Sequence, residues 1–231
     1  MQPYFFPYIG YFQLIAAVDL FIVYDNIKYT KKGWINRNRY LLNGNQAVFT
    51  VPLKSDSDFL HVRDRLVAEE FDRGKLLAKL EQAYRRAPFF TPAFAVFEGA
   101  VSNTQLNLFD FLNHSIAQVC AYLRIKTQIL PASHISIDHG LKSQEKVLAL
   151  CEQAGASVYI NSIGGQELYT CEEFAARGLD LKFLRPTTVQ YEQFGDAFVP
   201  WLSILDVMMF NSRERIREFL ARGYELVDGL Q

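Results

Sequence analysis

The densest set of side chains able to do chemistry lies at residues 25–39, Asp25-Asn26-Ile27-Lys28-Tyr29-Thr30-Lys31-Lys32-Gly33-Trp34-Ile35-Asn36-Arg37-Asn38-Arg39. Lys28, Lys31, Lys32, Arg37 and Arg39 set their positive charges against the single carboxylate of Asp25. An arginine offers a planar donor fork to a phosphate or carboxylate, and a lysine supplies a point charge. Tyr29 and Trp34 present faces on which a base or sugar ring can stack. Asn36 and Asn38 pair donors with acceptors, which suits a hydroxyl-rich ligand. For the cations alone, a solvated loop anchored by Trp34 is an equally good reading. The tryptophan, the two asparagines and the place of the segment directly after an apolar run together point to a binding site.

Two further segments carry weaker signals. Asn161-Ser162-Ile163-Gly164-Gly165-Gln166-Glu167-Leu168-Tyr169 joins an expected strand to an expected helix. Its paired glycines can bring backbone N–H groups against an anion, although a Gly-Gly turn is also ordinary connecting chemistry. Tyr8-Ile9-Gly10-Tyr11 stands where HIGH-type nucleotidylyltransferases carry His-x-Gly-His, but here both imidazoles are absent and a tyrosine brings no positive charge. No Walker-type or Gly-x-Gly-x-x-Gly motif occurs, and no Gly-x-Ser-x-Gly marks a nucleophile. The histidines show no metal-ligand spacing, so no transition-metal site is expected. Ser203 and Asp206, one helical turn apart, read as a helix cap and a buried polar contact.

These residues need elements to hold them. Residues 21–24 form a short β-rich apolar run ending at Asp25, and residues 10–17 before it have helical spacing. Residues 48–53 read as a strand behind the Asn43-Gly44 turn, and residues 61–67 as a half-exposed strand. Helices are expected from Asp72 to residue 86, from Thr91-Pro92 onward, and over 106–123, where Leu108, Phe109, Leu112, Ile116, Val119 and Leu123 make one stripe. Strand and helix then alternate: 127–130, 143–154, 158–160, 171–177 and 181–184, with two closing helices at 202–210 and 212–222. This alternation predicts an α/β fold with a mostly parallel, Rossmann-like sheet flanked by helices. Its expected parts are an N-terminal α/β half (1–71), an inserted helical segment (72–125) and a C-terminal α/β half (126–231), all in one compact unit. Ligands of such sheets bind beyond the carboxyl ends of the strands. One pocket lined by Tyr11, Asp25, Asn36, Arg37, Gly165, Gln166 and Tyr191 is therefore expected.

Composition narrows the setting. Of 231 residues half are hydrophobic and 14% aromatic, ample for a core, and the net charge of −1 gives no bulk attraction to nucleic acid. No apolar run approaches the roughly 18 residues that span a bilayer, and the N-terminal stretch lacks the leading basic residues of a signal peptide. The three cysteines are odd in number and widely spaced, unlike a disulfide scaffold. Cys120 and Cys151 read as small buried hydrophobes, and the cytoplasm is the expected compartment.

Several motifs together resemble the WbqC-like family over nearly the whole chain. They are Gln2-Pro3-Tyr4-Phe5-Phe6-Pro7-Tyr8-Ile9-Gly10-Tyr11-Phe12, Tyr24-Asp25, Trp34-Ile35-Asn36-Arg37-Asn38, Tyr84-x-x-Ala87-Pro88, Tyr159-Ile160-Asn161, Gly164-Gly165-Gln166-Glu167-Leu168-Tyr169 and Trp201-Leu202-Ser203-Ile204-Leu205-Asp206. Family members usually carry a few apolar residues before Gln-Pro as a first strand, so either a shortened strand or a truncated start is expected here. The resemblance implies a bacterial protein linked to O-antigen or other surface-polysaccharide synthesis, in which glycine or aminoacyl transfer onto an amino sugar has been suggested. The reading that follows is an N-acyl or aminoacyl transferase for a nucleotide-linked amino sugar. Residue chemistry assigns the roles: Asp25 and Asn36 as the candidate catalytic groups, with Asp25 a base or amine anchor. Lys31, Lys32 and Arg37 go to phosphate, Asn36 and Asn38 to sugar hydroxyls, Trp34, Tyr29, Tyr11, Gln166 and Tyr191 to the ligand walls, and the Gly164 and Gly165 N–H groups to an oxyanion or phosphate cradle. Magnesium accompanying a bound diphosphate is the one cofactor this chemistry would bring. A divergent HIGH-like nucleotidylyltransferase and a non-catalytic sugar-nucleotide-binding protein are the alternatives.

Overall fold

The computed structural model describes residues 1–57, 59–195 and 197–229. It opens with helix α1 (Ile9–Ala16), followed by strand β1 (Leu20–Val23) and a hairpin of β2 (Arg37–Leu42) and β3 (Asn45–Thr50). The helices α2 (Arg73–Tyr84), α3 (Phe90–Val101) and α4 (Leu108–Leu123) come next. The rest runs β4 (Gln128–Pro131), α5 (Ser143–Gln153), β5 (Val158–Ser162), α6 (Cys171–Ala176), β6 (Asp180–Pro186), α7 (Ile204–Phe210), α8 (Arg213–Arg222) and β7 (Tyr224–Asp228). No described helix is long and apolar enough to cross a membrane.

Local chemistry sets the helix ends. Asp72 accepts from Lys75 N at 2.8 Å and caps α2, Asn107 accepts from Asp110 N at 3.1 Å and caps α4, and Ser212 accepts from Arg215 N at 3.2 Å and caps α8. The apolar stripe of α4 is buried throughout, from Leu108 to Leu123. Thr91-Pro92 does not open α3; the helix starts at Phe90 with no side-chain cap.

The single mostly parallel sheet does not form. β1 pairs parallel with β4, Leu20 opposite Gln128, in a two-stranded sheet. β5 pairs parallel with β6, which pairs antiparallel with β7, in a separate three-stranded sheet. β2 and β3 make an antiparallel hairpin of their own, turned by Asn43 and Gly44, both at positive φ (49° and 76°), as a two-residue hairpin requires. The strand–helix alternation foretells parallel pairing, which is found at β1–β4 and β5–β6, but not which strands pair or that they fall in separate sheets. Two other expectations change. Arg37–Leu42 is a strand rather than loop, and residues 61–67 hold a short 3-10 turn (Val62–Asp64) flanked by isolated bridges instead of a strand.

On the edge of β1 away from β4, the Met1 amine donates to Ile22 O at 2.7 Å and Tyr24 N donates to Met1 O at 2.8 Å. That pattern brackets Val23 in a parallel sense. The chain after Met1 therefore leaves at the carboxyl end of β1, and the loop of residues 2–8 enters α1 from that side. A large core of Phe5, Phe6, Phe49, Phe97 and Phe111 in edge or tilted contacts lies beneath this loop. A smaller cluster, Val147, Leu148, Cys151, Phe174, Leu181 and Phe183, joins α5 and α6 to β6. Burial pushes the thiol of Cys120 up to about 12 and that of Cys151 up to about 11, consistent with small hydrophobes.

Candidate functional site

The carboxyl ends of β1 and β4 carry a polar cluster. β1 delivers Tyr24, Asp25 and Asn26; β4 delivers Ser133, two residues beyond its end. Asp25 is 3% exposed, and its Oδ1 accepts from Ser133 N at 3.0 Å, so the neighbouring strand holds the carboxylate. Its Oδ2 lies 3.8 Å from Nη1 of Arg63, a half-exposed guanidinium brought in by the 3-10 turn. Arg63 N also donates to Asp25 O at 3.0 Å, which ties the turn to the strand end.

Lys146, from the first turns of α5, reaches over the same edge. Its Nζ donates to Asn26 Oδ1 at 3.4 Å and lies 5.5 Å from the centre of the Tyr24 ring. Desolvation lowers its pKa below the ordinary lysine value, while Asp25 opposes that shift. Asn26 Nδ2 donates to His139 Nδ1 at 3.0 Å, and His139 Nε2 lies 3.1 Å from Ile135 O. With the Asn26 amide nitrogen as donor, His139 Nδ1 accepts and its Nε2–H faces the Ile135 carbonyl. The edge thus combines one buried carboxylate, two cations and a fixed imidazole.

The β5 loop borders this edge. Burial, with Tyr169 and Cys151 nearby, raises the Tyr24 hydroxyl above the usual phenol range. Asn161 Nδ2 donates to Tyr169 Oη at 3.1 Å and Tyr159 Oη stands 3.4 Å from it. Gly165 is buried against Asn161, whose amide nitrogen would lie 3.1 Å from any Cβ there; Gly164 has open space. Gln166 Nε2 donates to Asp228 O at 3.0 Å.

The remaining expected residues serve other contacts. Asn36 Nδ2 donates to Val51 O at 2.7 Å and its Oδ1 accepts from Tyr29 Oη at 2.8 Å. Asn38 Nδ2 donates to Phe6 O at 2.8 Å and Phe5 O at 3.2 Å, and its Oδ1 accepts from Arg39 N at 2.8 Å. Arg37 donates from Nε to Gly33 O at 2.9 Å and from Nη2 to Lys32 O at 2.7 Å. The guanidinium groups of Arg37 and Arg39 lie 5.5 and 4.6 Å from the centre of the Trp34 ring. Lys31 and Lys32 are exposed. Tyr11 Oη donates to Gln2 O at 2.9 Å. Tyr191 Oη donates to Asp206 Oδ2 at 2.7 Å. Of the seven residues expected to share one pocket, Asp25 stands at the parallel edge, and Gly165 and Gln166 belong to the loop after β5. Asn36 and Arg37 belong to the start of the hairpin, Tyr11 to α1, and Tyr191 to the Asp206 network.

That network is complete. Asp206 is fully buried and accepts from Tyr84 Oη, Tyr191 Oη and Gln193 Nε2, each at 2.7 Å. Desolvation raises its pKa, against the pull of the three donors. Ser203 caps α7 and donates from Oγ to Phe6 O at 2.7 Å, and Ile204 N donates to Pro7 O at 2.8 Å. The Phe6 carbonyl is thus gripped by Asn38 and Ser203 together, and Phe6 sits at φ 44°, a strained value for a bulky residue. Three motifs far apart in sequence meet to hold the loop 2–8 at the carboxyl edge of β1.

Sequence reasoning missed Arg63, Ser133, His139 and Lys146. Only Ser133 carried a usable signal, its place just past an expected strand. Among the described residues no group of three or more His, Cys, Asp or Glu has the geometry to hold a metal ion.

Fold and edge together define a mixed α/β protein with a charged cluster built at the carboxyl ends of short parallel strands. The chain belongs to the WbqC-like protein family, which it matches over residues 2–218. It is similar to the uncharacterised protein Rv1507c of Mycobacterium tuberculosis, at 29% identity over 229 residues, covering 95% of each chain. No solved structure gives a significant match.

Proposed function

We propose that this protein is an N-acyl or aminoacyl transferase that acts on a nucleotide-linked amino sugar in the synthesis of bacterial surface polysaccharide such as O-antigen. The observation that carries the reading is Asp25, buried at the carboxyl end of β1 with one oxygen held by Ser133 N and the other facing Arg63. A carboxylate so placed can hold and orient the amine of an acceptor sugar, while Arg63 and Lys146 supply positive charge for a diphosphate or for the oxyanion of the acyl-transfer intermediate. The amine lone pair attacks the donor carbonyl, the C–N bond forms, and collapse of the tetrahedral oxyanion expels the donor's leaving group. The amine proton passes to Asp25 or to solvent. The family resemblance supports the substrate class; the edge supports the chemistry. Asn36 and Asn38, with both ends of each amide engaged in the protein, are better suited to shaping the loops than to touching the sugar.

The test is mass spectrometry of a nucleotide-linked amino sugar incubated with an acyl thioester, an aminoacyl adenylate or an aminoacyl-tRNA. An N-acylated product, formed about 100- to 1,000-fold more slowly by Asp25→Asn, is expected from loss of a group at the reacting amine. Magnesium-dependent pyrophosphate release would favour a nucleotidylyltransferase instead. Tight binding without turnover of any donor would favour a binding protein.

A further inference from the structure

We propose that Tyr8 and Trp201 form an aromatic slot that binds a ring of the ligand, a sugar or a base, at the carboxyl end of β6. Trp201 is 63% exposed, yet its neighbours are firmly pinned. Pro200 O accepts from Gln46 Nε2 at 3.1 Å, Ser203 N donates to Arg39 O at 3.0 Å, and Ser203 Oγ donates to Phe6 O at 2.7 Å. Trp201 itself takes φ 61°, in the left-handed region that a bulky residue rarely adopts. An indole displayed to solvent from a strained and clamped turn has lost the usual reasons for its place, namely burial and backbone comfort. Strain of this kind gathers where a side chain is held out for binding.

Tyr8 supplies the facing ring, 6.1 Å from Trp201 between centroids and tilted by 59°. Its position depends on Gly10. A Cβ on Gly10 would collide with the Tyr8 ring and lie 2.7 Å from its hydroxyl, so the ring rests on bare backbone in the first turn of α1. This accounts for the glycine in Tyr8-Ile9-Gly10. Among the described residues the Tyr8 hydroxyl makes no hydrogen bond, and burial raises its pKa, so it remains a protonated donor. Thr187 and Thr188, just past β6, and Phe198 complete the lining. The enclosed volume is about 50 Å³, too small to swallow a ring. A ligand ring must therefore lie across the mouth, one face on Trp201 and its hydroxyls within reach of Tyr8 and the threonines. Pyranose C–H faces and nucleobase π-faces share this requirement.

The inference deepens the proposed function, resting on it only for the class of ligand. The chain has just two tryptophans, so in a Trp34→Phe background the emission reports Trp201 alone. Titration with uridine monophosphate and, separately, with methyl glucosaminide should give saturable change with at least one probe. Response to the nucleotide alone assigns the slot to the base, response to the sugar alone assigns it to the glycosyl ring, and both support the slot. Gly10→Ala suits the helix but drives the Tyr8 ring away; it should weaken the responsive probe roughly tenfold, as loss of a stacking partner does, with Tm unchanged. Tyr8→Ala should do the same. Silence of Trp201 toward both probes and toward an intact nucleotide sugar overturns the proposal, as does a response that neither variant alters. Binding here without acyl transfer by any donor would leave the slot standing and remove the transferase reading.

Discussion

Two aspartates in this protein are almost equally buried, and their surroundings differ in every other respect. Asp206 receives three neutral donors from Tyr84, Tyr191 and Gln193, and its charge has no cationic partner among its hydrogen bonds. Asp25 receives one backbone N–H, and its second oxygen faces a half-exposed arginine, with Lys146 close by. The first arrangement is closed: each carboxylate oxygen is occupied and there is nothing left to bind. The second leaves one carboxylate oxygen without a short hydrogen bond among the described residues, at the strand ends where ligand sites of α/β proteins lie. Burial alone does not mark a working carboxylate. Unspent hydrogen-bonding capacity beside cationic groups is what makes Asp25 the candidate.

The largest expected effect breaks the two apart by stability. Asp206→Ala strands two tyrosine hydroxyls and an amide in the core, at a cost on the order of 3–5 kcal/mol. For a chain of this size that lowers Tm by roughly 10 °C or more. Asp25→Asn, at an edge bordered by half-exposed groups, should move Tm by less than about 3 °C while depressing turnover. Calorimetry of the pair decides the matter. A variant at Asp25 that melts lower than the one at Asp206 would reverse the assignment of structural and working roles.

A smaller effect lies in pH dependence. Burial raises the folded pKa of Asp206, so the folded state binds that proton more tightly than the unfolded chain does. The stability it contributes is complete below the unfolded value, near pH 4, and is lost as pH rises through the higher folded value, at about 1.4 kcal/mol per unit of displacement. Urea unfolding of the wild type and of Asp206→Asn, compared from about pH 4 to pH 7, should show the wild type's relative stability declining. A difference that stays flat or grows with pH would mean that the donors, and not desolvation, control this carboxylate.

Much of the framework was legible because it is written in adjacent residues. The cap at Asp72, the Asn43-Gly44 hairpin and the stripe of α4 are local events, and so is the run that ends at Asp25. The strand β7 was hidden because Glu225 and Asp228 make Tyr224–Asp228 polar at a sheet edge. The site was half legible. Arg63 comes from one segment and Ser133, His139 and Lys146 from another, both remote from Asp25, and no spacing within either announces the strand end they meet. Asn36 and Asn38 misled in the opposite way. They are polar residues beside charged ones and so read as ligand donors, but their acceptors are the carbonyls of Val51, Phe5 and Phe6, which no side-chain pattern displays.

The smallest expected effect concerns Arg37, one of the residues that sequence reasoning assigned to phosphate. Its guanidinium spends Nε on Gly33 O and Nη2 on Lys32 O, and it lies 5.5 Å from the Trp34 ring. These contacts fold the basic turn back on the start of β2. Removing them from a partly exposed position should cost about 0.5–1 kcal/mol of stability. Were Arg37 the phosphate anchor, Arg37→Ala would also cost on the order of 2–4 kcal/mol of binding, the worth of a desolvated bidentate contact. A guanidinium already spent on two carbonyls must give those up first, so affinity for a nucleotide-linked sugar should change less than about threefold. Lys146→Met removes a partly desolvated cation at the Asp25 edge and should weaken binding roughly tenfold. Calorimetric titration of both variants with the same nucleotide sugar separates the two. If Arg37→Ala abolishes binding and Lys146→Met spares it, the anion site belongs to the hairpin turn, and the carboxyl edge of β1 loses its claim.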